Sequence, residues 1–212
     1  MAKFYHMHAF SGVVGDVVGC NGPFGFYIRS RPKRKKRKPS PGQVEWRAKL
    51  ALAIRFLAPL KEIVYRGWAM PSGPKCKTAA MNRAVSLTVS VAVEGSFPDL
   101  KINPEKIQLS RGSLCKLLEL SMSVTHKIVE VKWLSGLTVF PAFADDTVYV
   151  VAYHVGEKIV LGALAERIHA NVTIDLSAEP IGSEWLVYAC VSTREGKRFA
   201  NSQFIGKIIL TA

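Results

Sequence analysis

Ten consecutive residues, Arg29 to Lys38, read Arg-Ser-Arg-Pro-Lys-Arg-Lys-Lys-Arg-Lys, and eight of them carry fixed positive charge. No acid occurs between Asp16 and Glu45. Such a run cannot enter a core, because an unpaired buried ammonium costs far more than its packing returns. Mutual repulsion keeps the run extended in water until anions neutralise it. Arg29, Arg31, Lys33, Arg34, Lys35, Lys36, Arg37 and Lys38 are therefore the first candidates for contact with a negatively charged partner. They also separate a short N-terminal stretch from a long C-terminal remainder.

The charge is uneven along the 212 residues. Residues 1–46 hold nine Lys/Arg and two acids, a net of +7; residues 47–111 again give +7; residues 112–212 give −1. The first half suits a polyanion and the second does not. With 49% hydrophobic residues the chain can build a core, which excludes a wholly disordered protein.

Upstream of the basic run, Val13-Val14 and Val17-Val18 favour strands, and the glycines among them permit bulges or tight turns. Asn21-Gly22-Pro23 reads as a turn with Phe24 to Ile28 returning, so a hairpin is predicted over 4–28. The glycine spacing is neither a phosphate loop nor a dinucleotide fingerprint, since Gly-Lys-Ser/Thr and a βαβ unit are both missing.

Downstream, Ser40, Pro41 and Gln43 have the spacing of a capped helix start. The helix then carries Val44, Leu50, Ile54 and Leu57 as its predicted core face, with Arg47, Lys49 and Arg55 on the other. Pro59 breaks it and Gly67 stops a second helix, so helical structure is expected over 41–66. Arg47, Lys49 and Arg55 join the candidate phosphate contacts. Residues 77–93 mix helical and period-two signals; the reading favours helix, closed by Gly95. Lys106 to Ser110 suggests a strand.

From Val124 onward, short apolar runs recur at 128–134, 148–155, 159–164, 172–176, 185–192 and 204–210, separated by turn signals such as Asp145-Asp146 and Glu195-Gly196-Lys197. This spacing indicates a two-sheet antiparallel sandwich, with 148–155 and 185–192 central because they are the most apolar. Trp133, Tyr149, Trp185 and Tyr188 are its expected core aromatics. The predicted class is α+β: an N-terminal hairpin and basic arm, central helices, and a C-terminal sandwich. The domain division expected is a basic region over 1–111 and a sandwich over 112–212.

No constellation for chemistry stands out. His6 and His8 form a two-ligand pair, which is weak for a metal without a third group. His154 falls in a core strand and reads as hydrogen-bonded structure. Asp145-Asp146 lacks the further oxygens of a calcium loop and reads as a turn. No nucleophile elbow occurs. The expectation is no catalytic residue, no metal and no cofactor. Cys20, Cys76, Cys115 and Cys190 are scattered, the pattern of free thiols in a reducing compartment. No apolar run reaches membrane-spanning length and no leader pattern opens the chain, so the cytoplasm is expected.

One ordered series of residues runs through nearly the whole chain. It begins with Phe10-Ser11-Gly12 and Gly15-Asp16-Val17-Val18-Gly19, continues with Ile28-Arg29-Ser30, Gln43 and Arg47, and passes through Phe97-Pro98-Asp99 and Ser110-Arg111-Gly112. It ends in Asn201-Ser202-Gln203-Phe204-Ile205-Gly206. In this order the chain resembles a functionally uncharacterised family of bacterial proteins of about this length, though its arm is denser in Lys/Arg. The resemblance brings no catalytic residues. The sandwich is similar in strand pattern to fibronectin type III modules, which implies a fold and no activity. The function expected is non-enzymatic binding of a polyanion, DNA or RNA, through the arm and the basic helix. The alternative is a structural or assembly protein that uses hairpin and sandwich for contacts with another protein or another copy.

Overall fold

The computed structural model describes residues 3–6, 9–22, 25–33, 38–69, 76–135 and 142–211. The chain divides into two compact units, Met1–Ser40 and Pro41–Ala212.

The first unit is a four-stranded antiparallel meander: β1 (Lys3–His6), β2 (Ala9–Val14), β3 (Val17–Gly22) and β4 (Gly25–Ser30), in that order. The sequence anticipated the return of β4 but not a full sheet. Gly15, at φ +57°, turns β2 into β3. Gly19 is required for a different reason: a β-carbon there would collide with the backbone oxygen and ring of Phe10. The basic run does not begin as a free tether. Arg29 pairs with Val18 and Ser30 with Val17 as the last rungs of β4, and the Arg31 amide donates to the Asp16 carbonyl at 2.7 Å. Arg34, Lys35, Lys36 and Arg37 lie outside the described residues.

The second unit opens with α1 (Pro41–Leu57), α2 (Lys61–Gly67) and α3 (Lys77–Val91). The break between the first two helices contains Pro59, which has no amide hydrogen to continue a helix. In α3 the ambiguous stretch is helical because Ala80, Ala84, Val85, Thr88 and Val89 make one buried stripe at helical spacing. A two-stranded ribbon connects α3 to the sandwich, β5 (Val93–Glu94) with β6 (Lys101–Ile102). The strand expected at Lys106–Ser110 is absent. A short 3-10 turn covers Pro104–Lys106, and the next residues are tied by side chains instead of a ladder. The Leu109 amide donates to Ser202 Oγ at 2.8 Å, and Ser110 Oγ donates to the Ala200 carbonyl at 2.8 Å.

The sandwich forms as expected, from β7 (Ser121–Thr125), β8 (Ile128–Lys132), β9 (Thr147–His154), β10 (Ile159–Glu166), β11 (Asn171–Asp175), β12 (Glu184–Ser192) and β13 (Gln203–Ile209). One sheet has the order β10-β9-β12-β13 and the other β11-β8-β7, all antiparallel. The two most apolar runs, β9 and β12, are the central pair. They are apolar on both faces because both faces are covered. Val148, Val150 and Ala152, with Trp185, Val187, Ala189 and Val191, face the smaller sheet. Val151, Tyr153, Leu186, Tyr188 and Cys190 face the helices. Each such large side chain contributes about 1.5–3 kcal/mol on burial. Helices and sandwich therefore share a core, and the chain divides at Ser40 rather than near residue 111. Trp133, Trp185 and Tyr188 are buried, while Tyr149 is half-buried.

Candidate polyanion-binding surface

Strand alternation in the first unit sorts the residues around the arm. Tyr27 and Arg29 lie on one face of β4, opposite Cys20 and Val18 of β3. Phe26 and Ile28 lie on the other face. Arg29, Arg31 and Lys33, with Val13, Asp16 and Val18, line an open depression. All the described arm cations, Arg29, Arg31, Lys33 and Lys38, are exposed. None of them forms an ion pair among the described residues. Asp16 is the one acid in the first forty residues, and its backbone carbonyl, not its carboxylate, takes the Arg31 amide.

The second group of candidates is altered. Lys49 Nζ sits 2.7 Å from Glu45 Oε1 one turn back, half-buried, so its charge is already matched. Arg47 and Arg55 stay exposed on α1. The expected core face of this helix holds at Leu57, which is buried, and fails at Leu50 and Ile54. Leu50 and Ile54 are 37% and 47% exposed and align with Trp46, 59% exposed. The helix is instead seated by Ala53, Phe56 and Leu57, with the Phe56 ring edge-on to Tyr153 at 5.2 Å. The seat is set by the side chain that reaches the sheet, and Phe56 outcompetes Leu50 and Ile54. The residues grouped by sequence thus separate into arm cations in one unit and two exposed helix arginines in the other.

Tyr27 is missed when aromatics are sought only within the basic run. The available signal is its i, i+2 relation to Arg29 in an alternating strand. It supplies an exposed ring on the same face as the first arm cation.

His8 lies outside the described residues. His154 Nδ1 accepts from the Glu157 amide at 3.1 Å, and its ring lies 5.3 Å from that of Trp185. Among the described residues no three His, Cys, Asp or Glu groups are placed to hold a metal ion. No described helix is long and apolar enough to cross a membrane.

The model of the "Family of unknown function (DUF6266)" matches residues 9–206. The chain belongs to this family. The match spans both units and agrees with the expected likeness to a functionally uncharacterised family. No curated protein matches the chain. Among solved structures, it is similar to the selenomethionine-substituted chicken interferon gamma receptor alpha chain, with a TM-score of 0.37 and 12% identity. That similarity covers 54% of this chain and 57% of the receptor chain, so the chain spans little more than half the receptor's length.

Proposed function

We propose that this DUF6266 protein is a non-enzymatic polyanion-binding protein that grips the phosphate backbone of nucleic acid through Arg29, Arg31 and the cations from Lys33 to Lys38. The observation that carries the reading is the missing internal counter-charge. Four described arm cations are exposed and have no carboxylate partner among the described residues. Arg47 and Arg55 add two further charges that form no ion pair among the described residues, whereas Lys49 pairs with Glu45. Binding is independent of sequence, because phosphate contacts position a nucleic acid without reading its bases. Tyr27 beside Arg29 offers a stacking surface for an unpaired base, which favours single strands over duplex. Four free cysteines accord with work in the cytoplasm.

The test is a fluorescence-anisotropy titration of labelled oligonucleotides at two salt concentrations. If about six to eight phosphates are neutralised, affinity falls roughly 10³–10⁵-fold between 50 and 200 mM salt. Replacing Lys33–Lys38 cations by Gln abolishes low-salt binding. Unchanged binding in that variant ends the proposal.

A second reading, a structural or assembly protein, draws on the first unit's surface. Val13, Val14, Val17, Phe26 and Ile28 are all more than a third exposed. A small sheet with so much apolar surface outside suits contact with another protein chain. Light scattering on nuclease-treated protein separates the two readings: concentration-dependent oligomers without nucleic acid favour assembly.

A further inference from the structure

A cavity of about 410 Å³ opens at the end of the four-stranded sheet, beneath the last turns of α1. It lies wholly within the second unit. Leu52 and Phe56 of α1, Ile102 of β6, Tyr153 of β9 and Leu186 of β12 form its apolar walls. Its size lies in the range of pockets that enclose small ligands.

Two observations say what belongs there. The first is Tyr153, which is 1% exposed and lines the cavity. Its hydroxyl has no hydrogen-bond partner among the described residues, in contrast to Tyr188, whose hydroxyl donates to the Pro104 carbonyl at 3.0 Å. The Tyr153 hydroxyl is also not among the sealed polar atoms that lack a partner, so it meets open volume. A hydroxyl that reaches open volume is free to donate to an acceptor seated in the cavity. Burial pushes the phenol up from its ordinary value, which keeps its proton in place.

The second observation is the rim. Arg55, Lys101 and Lys158 border the cavity, are exposed, and form no ion pair among the described residues. The one acid on the rim, Glu184, is neutralised by Lys207 at 2.7 Å. The mouth therefore carries three unmatched cations above an apolar floor. A neutral apolar molecule would waste the rim, and an oligonucleotide would waste the floor.

We infer that this cavity binds an amphipathic anion: an apolar tail seated between Phe56, Ile102 and Leu186, and an anionic head that accepts from Tyr153 and meets Arg55, Lys101 and Lys158. The site is independent of the arm and adds a small-molecule ligand to a chain whose proposed partner is macromolecular.

The experiment is a calorimetric and ligand-observed NMR titration of the full chain below the micellar range. The probes are decanoate, decyl phosphate, decanol and decyltrimethylammonium. Decanoate or decyl phosphate is expected to bind at least about tenfold more tightly than decanol, the worth of one hydrogen bond to a charged group. The ammonium probe is expected not to bind. Whichever of the two anions is tighter identifies a carboxylate or a phosphate head. Tyr153→Phe keeps the ring contact with Phe56 and weakens the anion several-fold. Lys101→Gln with Lys158→Gln, both on the surface, weakens it further without unfolding the protein. Leu52→Trp fills the cavity and abolishes binding. Equal affinity for decanol and decanoate overturns the inference. So does anion binding that the Tyr153 and Leu52 variants leave unchanged, which would mark a charged rim alone. Neutralising Lys33 and Lys38 leaves decanoate binding intact, so this site and the polyanion reading fail separately.

Discussion

Asp146 Oδ2 lies 3.2 Å from Arg167 Nε, with 1% and 4% of the two side chains exposed. The Nε–H is not aligned for a hydrogen bond, so charge holds this contact. The remaining groups are satisfied. Arg167 Nη2 donates to the Cys115 carbonyl at 2.7 Å, and Asp146 Oδ2 accepts from the Phe143 amide at 3.0 Å. Trp133 Nε1 donates to the Arg167 carbonyl at 2.8 Å. The pair ties the segment before β7 to the entry of β9 and the exit of β8. Removing one partner leaves the other buried and uncompensated. Asp146→Ala is expected to cost about 3–5 kcal/mol, against a total near 5–15 for a domain. Asp146→Ala with Arg167→Met is expected to cost less than the two single changes summed. Urea unfolding checks both; a loss below about 1 kcal/mol in the single variant contradicts the role given to the pair.

The sequence showed Asp145-Asp146 as a turn, and a turn is there, but nothing local marks Asp146 as buried. Its partner, Arg167, stands opposite it one step past the Thr147–Glu166 rung of the β9–β10 hairpin, a placement set by the strand register. The same limit explains α1. Periodicity gave Leu50 and Ile54 the core face, while the observed seat depends on Phe56 meeting Tyr153 of β9, a contact between distant segments. The sandwich was legible because strand signals are local. Its central pair was legible because a strand covered on both sides must be apolar throughout, as β9 and β12 are. The charge of the arm was visible, but the placement of Arg29 in a strand beside Tyr27 was not. That depends on the pairing of β3 with β4.

Two glycines give opposite expectations for the same substitution. A β-carbon on Gly67 would stand 2.5 Å from Ser110 Cβ and 2.7 Å from the Leu109 carbonyl oxygen, where α2 ends against that segment. Gly67→Ala is expected to destabilise by roughly 1–3 kcal/mol through overpacking. Gly42, in the first turn of α1, has nothing within 4 Å of such a carbon. Gly42→Ala is expected to stabilise by about 0.4–1 kcal/mol, because it restricts the unfolded chain. Thermal melts of the two variants should move in opposite directions.

Thiol reactivity should track burial. Cys190 is 1% exposed on the helix-facing side of β12, and burial pushes its thiol up to about 12, partly offset by a hydrogen bond with Ser110. Only the thiolate attacks alkylating reagents. At pH 8 iodoacetamide is expected to label exposed Cys76 readily in the native protein and Cys190 only in denaturant. Peptide mass spectrometry after timed quenching reads the difference. Fast native labelling of Cys190 would contradict its place in the shared core.

Glu94 gives a pH dependence of known sign. Lys106 Nζ at 2.7 Å, and then Asn103 Nδ2 at 3.0 Å, hold its carboxyl below the usual carboxylate range. A depressed folded value means stability that is present above the unfolded pKa and lost as pH falls through the folded one. The group is exposed, so the effect is local and small. NMR titration of Glu94 is expected to show a midpoint below that of an unpaired glutamate. Lys106→Gln should raise that midpoint, and an unmoved midpoint would discount the pair.

The position of the domain boundary can be tested by cutting the chain at both candidate sites. A fragment 41–212 keeps both hydrophobic clusters whole, since the helices and the larger sheet bury each other. A fragment 112–212 keeps every sandwich strand but strips one face of β9 and β12. Val151, Tyr153, Leu186, Tyr188 and Cys190 would then meet water. At about 1.5–3 kcal/mol for each large side chain, that loss alone approaches the stability of a domain. The longer fragment is therefore expected to unfold cooperatively and to give dispersed NMR spectra. The shorter one is expected to aggregate or to remain unfolded. A cooperative, monomeric 112–212 fragment would mean that the sandwich does not need its helical cover.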